Sequence, residues 1–168
     1  MKGEQTLMKA AILMGSDSDW PILKQAADLL KSFGIEIEVV VASAHRTPAK
    51  VREFVLSAPE KGVGVFIVAA GAAAHLAGVV ASYTTLPVIG VPINATALNG
   101  MDALLSTVQM PSGVPVATMA INGAKNAAIF AVQIFAVGNA DLAAKLAAYR
   151  EKMVEEVDKK AARVAAQL

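Results

Sequence analysis

The sequence contains no cysteine, which excludes disulfides, thiolate catalysis and cysteine-ligated metal. It has only two histidines, and these stand in separate loops among scattered carboxylates, a pattern with no metal-ligand spacing. No hydrophobic run approaches the ~20 residues of a membrane helix, because Gly, Pro or polar residues interrupt each one. The first residues, "MKGEQTLMK", have neither the apolar centre nor the small-residue cleavage site of a signal peptide, and they read as a frayed lead-in to the first strand. A formal charge of +1 gives no footing for nucleic acid or an anionic membrane. These absences leave a cytoplasmic enzyme or binding domain as the expectation. Aromatics are few at 5%, and the apolar residues at 55% include many alanines, which let helices pack closely. Such an apolar excess also fits a surface covered by other subunits.

A length of 168 residues fits one domain, 1–168, and a chain of about 150 residues buries roughly 70% of its unfolded surface. "KAAILM" (9–14) is a short apolar run ending at Gly15 and reads as a buried strand. Ile22, Ala26, Leu29, Leu30 and Phe33 recur at helical spacing behind Pro21, and Gly34 suits the helix end. Strands are then expected at 35–41, 63–70, 87–92 and 114–121. Helices are expected at 49–56, over "AAAHLAGVVASY" (72–83), at 101–110 and at 124–137, with a last one from about Asp141 to about Val164.

This alternation with short connections predicts an α/β fold. The expected form is a flavodoxin-like, doubly wound, three-layer sandwich with a five-stranded parallel sheet and an extra C-terminal helix. Its core spans 9–137, and the helix at 141–164 carries a stripe of Leu142, Leu146, Tyr149, Met153 and Val157. That stripe suits either the chain's own sheet or a neighbouring subunit. Ligands in such folds bind beyond the carboxyl ends of the strands, where strand order reverses, so the loops after the first four strands matter most.

The first of these loops, "GSDSDW" (15–20), offers the Ser16 and Ser18 hydroxyls and a helix start suited to phosphate, while Asp19 suits sugar hydroxyls. Plain helix capping explains the same residues. The stretch is neither a Walker loop nor a dinucleotide fingerprint. The second loop, "SAHRTP" (43–48), holds Ser43 and Arg46, a hydroxyl and a forked cation that both suit phosphate. Thr47 and Pro48 read as N-cap and first helical residue. His45, between the two phosphate candidates, is placed either to exchange a proton with substrate near neutral pH or to bond locally. In the third loop, "AAGAAAHLAG" (69–78), small residues let a ligand approach backbone amides, and His75 either reaches the site or packs in the helix. Turn formation explains Asn94, Thr96, Asn99 and Gly100 in the fourth.

"MGSDSDW", "SAHRTP", "AAHLAG", "LPVIGVP", "LNGMDALLSTVQMPSGVPVAT" and "NAAIFAVQIF" together resemble the class I N5-carboxyaminoimidazole ribonucleotide mutases of purine biosynthesis. The motifs run in order from about Ala11 to about Val137. The resemblance implies transfer of a carboxylate from N5 to ring carbon C4 of the aminoimidazole ribonucleotide, giving 4-carboxy-5-aminoimidazole ribonucleotide. It implies no metal or organic cofactor, a small-molecule ribonucleotide as the ligand, and a cytoplasmic homo-octamer with active sites at subunit junctions. By the same resemblance Ser16, Ser43 and Arg46 hold phosphate, Asp19 holds ribose, and His45 is the general acid/base. Gly71, Ala72 and Ala73 offer amides to the migrating carboxylate, with His75 as their neighbour. Ala69, Ala72 and Ala77 stand where relatives commonly have Gly, Gly and Pro, and "NGAKNAA" (122–128) is shorter than the usual segment. If Ala72 takes positive φ, it costs about 1 kcal/mol or more. Two other readings remain open: a direct aminoimidazole ribonucleotide carboxylase using CO2, and a non-catalytic phosphosugar- or nucleotide-binding module.

Overall fold

A computed structural model of the chain describes residues 8–167, so the lead-in expected at the N-terminus lies almost wholly outside the described residues. Backbone proximity divides the chain into two compact units, with the boundary between Ala131 and Val132.

The first unit holds a five-stranded sheet in the order β2-β1-β3-β4-β5, every neighbouring pair parallel. The strands are β1 (Lys9–Met14), β2 (Glu36–Val41), β3 (Val63–Gly71), β4 (Val88–Ile93) and β5 (Ala117–Thr118). They are connected through α1 (Trp20–Ser32), α2 (Pro48–Ser57), α3 (Leu76–Tyr83) and α4 (Met101–Val108), and α5 (Ala124–Ala136) follows β5. This is the flavodoxin-like α/β arrangement that the alternation predicts, with helices covering both sides of the sheet.

Burial explains why the central strands are apolar without alternation. Residues Ala10 to Leu13 of β1 are completely buried. Ala11 and Leu13, with Phe66 and Val68 of β3, pack against Val51, Phe54 and Val55 of α2 and Leu76, Ala77 and Val80 of α3. Ala10, Ile12 and Met14 point to the opposite face, the side on which α1 buries Leu23, Ala26, Ala27 and Leu30. Register does the rest. Met14 lies level with Val41 of β2 and Ala69 of β3, so the carboxyl ends of three strands open at one level. Strand order reverses between β2 and β3 about β1, which sets the loops after these strands around one crevice.

Several element boundaries differ from expectation for local reasons. The fifth strand shrinks from the expected 114–121 to two residues. Pro115 has no N–H to pair, Gly113 turns at φ +93°, and Val114 N–H bonds back to Pro111 O. Beyond β5 the chain still follows β4 through Met119 N–H to Gly90 O and Asn122 N–H to Pro92 O. α3 begins at Leu76 instead of near Ala72, because Ala72 sits at φ +53°. α4 ends at Val108, ahead of Pro111. Two short 3-10 turns, Asp17–Asp19 and Pro59–Lys61, had no sequence expectation.

The second unit comprises the end of α5 and α6 (Ala140–Ala165), a helix of 26 residues. Asn139 caps it by accepting from Leu142 N–H at 2.9 Å. Along the apolar stripe exposure rises outward. Leu142 is buried and Leu146 and Tyr149 are half-buried, but Met153 and Val157 are exposed. Among the described residues no helix is long and apolar enough to cross a membrane.

Candidate active site

The crevice at the reversal point is a cleft of about 330 Å³. Its walls come from three strand ends and the loops that follow them: Gly15, Ser16, Ser18 and Asp19 after β1; Ser43, Ala44, His45 and Arg46 after β2; and Ala70 and Gly71 at the end of β3 with Ala72 and Ala73 beyond it. Leu76 of α3 and Ala95, after β4, complete the lining.

In the first loop the capping reading and the ligand reading hold together. Ser16 accepts from Ser18 N–H at 3.3 Å and from the Ser18 hydroxyl at 2.9 Å, which starts the 3-10 turn, and both serines still face the cleft. Asp19 is only 5% exposed. Burial pushes its carboxyl above the ordinary carboxylate range; bonds from Ser18 and from the Ser16 backbone act the other way.

The second loop closes on itself. Thr47, expected as the N-cap of α2, makes no capping bond to that helix. Its hydroxyl oxygen instead accepts from Ser43 N–H at 2.9 Å, and Ser43 Oγ accepts from Arg46 N–H at 3.2 Å. Arg46 Nη2 then donates to Gly15 O at 3.1 Å, tying this loop to the first one. The outcome is a cation and two serine hydroxyls on adjoining walls, which is a good geometry for a phosphate.

His45 and His75, thirty residues apart, meet directly. His45 Nε2 lies 2.9 Å from His75 Nδ1, and the rings stand edge to face at 85° with centroids 5.0 Å apart. One nitrogen of that contact must donate and the other accept, so a single proton sits between them. His45 lines the cleft; His75, the residue before α3, stands behind it and is not part of the wall.

The third loop is strained and tightly packed. Ala72, at φ +53°, occupies the left-handed region at a cost of about 1–2 kcal/mol for a residue with a Cβ. Gly71 admits no side chain: a Cβ there would stand 2.6 Å from Ala95 Cβ. The N–H group of Ala73 has no acceptor among the described residues. Ser106 of α4 anchors this loop, since Ala74 N–H donates to its Oγ at 3.0 Å. Composition and motif reading missed Ser106, Ala44 and Ala95 as contributors, while Ser18, offered with Ser16, does line the cleft. A mid-helix serine among apolar neighbours in "ALLSTV" was the available signal for Ser106. The fourth loop is the turn expected of it, with Thr96 donating to Asp102 at 2.8 Å and Asn99 and Gly100 at positive φ. Among the described residues no three His, Asp or Glu side chains are grouped to hold a metal ion.

Fold and cleft together define a class: a flavodoxin-like α/β protein with a hydroxyl- and arginine-lined ligand cleft at the switch point of its sheet, faced by paired imidazoles. Within that class the chain belongs to the AIR carboxylase family, whose model matches residues 9–156. It is 53% identical to the N5-carboxyaminoimidazole ribonucleotide mutase of Thermotoga maritima, over 93% of this chain and 91% of that one. With the Pyrococcus horikoshii protein of the same name it shares 51% identity over 98% of this chain and 92% of that one. The crystal structure of Treponema denticola PurE superposes with a TM-score of 0.81 at 30% identity, covering 90% of this chain and 94% of that one.

Proposed function

We propose that this chain is an N5-carboxyaminoimidazole ribonucleotide mutase, an isomerase of purine biosynthesis that moves a carboxylate from N5 to C4. The observation that carries the reading is identity above 50% across nearly the whole chain to relatives bearing that name. The chemistry available in the cleft supports it. In our reading Arg46, Ser43 and Ser16 take the phosphate, and Asp19 takes ribose hydroxyls. The Ala72 and Ala73 amides, with Gly71 giving close access, receive the migrating carboxylate. His45 moves the proton, with His75 bonded behind it.

The transfer balances without an external redox partner. His45 gives a proton to N5, the bond from N5 to the carboxyl carbon breaks with its pair staying on nitrogen, and CO2 is released inside the cleft. The electron-rich C4 then bonds to the CO2 carbon, and His45 takes the C4 proton, restoring the aromatic ring. One imidazole, as donor and then as acceptor, serves both transfers. The phosphate clamp holds the ring against that imidazole, so remote binding energy orients the reaction. The two carbons exchange electrons only with each other, so the transfer needs no external oxidant or reductant.

The single-domain organisation and cytoplasmic location expected from the sequence belong to the same reading, as does a homo-octamer with sites at subunit junctions. Exposed apolar side chains support the assembly: Met153, Val154 and Val157 on α6, and Leu98, Met101, Leu105 and Val108 at and before α4.

Purified protein given the N5-carboxylated nucleotide, with neither ATP nor bicarbonate, is expected to form the C4-carboxylated product. His45→Asn is expected to keep nucleotide binding, read by fluorescence of Trp20 beside Asp19, while losing about 10²–10⁴-fold in kcat. Turnover that requires unmodified aminoimidazole ribonucleotide plus bicarbonate would make the chain a direct carboxylase. Nucleotide binding with no turnover on either would make it a binding module. Near-normal kcat in His45→Asn would remove His45 from the mechanism.

A further inference from the structure

We infer that Ser106 is a positioning residue that sets how faithfully the released CO2 is delivered to C4; this rests on the mutase reading above. Ser106 lies on α4 and is not part of the cleft wall. It acts through the loop after β3. Ala74 N–H donates to Ser106 Oγ at 3.0 Å, and the same oxygen lies 3.4 Å from Ala72 O. Its one hydroxyl proton has a better acceptor in Asp102 O at 2.7 Å, which turns an oxygen lone pair toward the loop. Thr107, the next residue, is spent chiefly on Ala103 O at 2.7 Å and reaches Ala74 O only at 3.5 Å. Ser106 is therefore the principal side-chain tether of a loop whose Ala72 sits in an unfavoured conformation.

The consequence falls on the second half of the reaction. Once the N5–carbon bond breaks, CO2 carries no charge and the phosphate clamp has no hold on it. Only the fixed amides of Ala72 and Ala73 keep its oxygens directed so that its carbon meets C4. If the loop relaxes, bond formation at C4 competes with escape of CO2 to water, leaving aminoimidazole ribonucleotide. Phosphate and ribose binding, built on the other two loops, does not depend on Ser106.

The test measures product partition alongside kinetics. In Ser106→Ala we expect KM to change less than threefold and kcat to fall about 10–100-fold, the scale of a small misplacement of reacting groups. A rising share of consumed substrate should end as aminoimidazole ribonucleotide. Ser106→Thr, which keeps the hydroxyl, should restore both kcat and partition, and Ser106→Cys, with a weaker acceptor, should fall between. Should the alanine variant fail to fold, the graded Thr and Cys pair carries the comparison. Unchanged kcat and partition in Ser106→Ala, or in the Cys variant if alanine does not fold, would overturn the inference. Amide exchange gives a reading independent of the chemistry: protection of Ala74 N–H should drop in Ser106→Ala, and unchanged protection would also overturn it. If the wild-type protein does not turn over the N5-carboxylated nucleotide, the mutase reading has failed instead, and exchange at Ala74 still decides whether Ser106 is the tether.

Discussion

Asp19 carries a burial cost that its proposed role explains. Its carboxyl is buried and pushed above the ordinary range, so the ionised form is disfavoured in the folded state. A group with a raised folded pKa contributes stability that is fully present below its unfolded value. That contribution is lost as pH rises through the folded value. Above that range the folded protein therefore bears the cost that burial places on the ionised form. Asp19→Asn is expected to raise Tm at pH 7, with the gain shrinking as pH falls through the folded value and gone below about 4, where the carboxyl is protonated in both states. The same variant should bind the ribonucleotide more weakly. An equal Tm for both proteins across that range would mean that Asp19 is solvated in solution. At this scale the sequence supplied candidates but not their partners. The hydroxyls, the arginine and both histidines are evident in "GSDSDW", "SAHRTP" and "AAHLAG". That His45 and His75 share a proton, and that Arg46 reaches back to Gly15, depends on loops far apart in the chain.

At the scale of elements, α4 links the sheet to the third loop. Its position depends on Gly90 of β4, where a Cβ would stand 2.5 Å from Thr107 Cγ2 and 2.8 Å from Val116 Cγ1. Both are methyls of stiff, branched side chains, and Thr107 is buried. Gly90→Ala is expected to destabilise the protein by about 1–3 kcal/mol in urea denaturation, the range for overpacked cores, and to lower kcat by displacing Ser106. Stability equal to wild type would mean that α4 shifts freely over the sheet. The strands and helices themselves were largely legible, because central parallel strands read as apolar runs and the helices as 3.6-residue periodicity. The fifth strand was not. "VPVATMAI" has strand composition, yet Pro115 and the turn at Gly113 withdraw it from regular pairing. The start of α3 was also misplaced: the resemblance singled out Ala72 as a site for positive φ, but a run of alanines by composition reads as helix.

At the scale of the whole molecule, the outer half of α6 presents apolar residues with nothing over them among the described residues. Met153 is 51% exposed and Val157 61%. We expect the double substitution Met153→Glu and Val157→Lys to leave far-ultraviolet circular dichroism unchanged while reducing the mass found by light scattering below that of the unsubstituted protein, for which we propose an octamer. An unchanged mass would assign subunit contact to other surfaces. The sequence by itself determined the order and kind of the elements, the family, and the residues with chemistry to offer, because periodicity and local motifs are properties of neighbouring residues. Only the tertiary structure decided that three strand ends open at one level, that Ala72 is held left-handed, and that a serine from α4 holds the loop beside it. Those outcomes depend on sheet register and side-chain packing between segments distant in sequence.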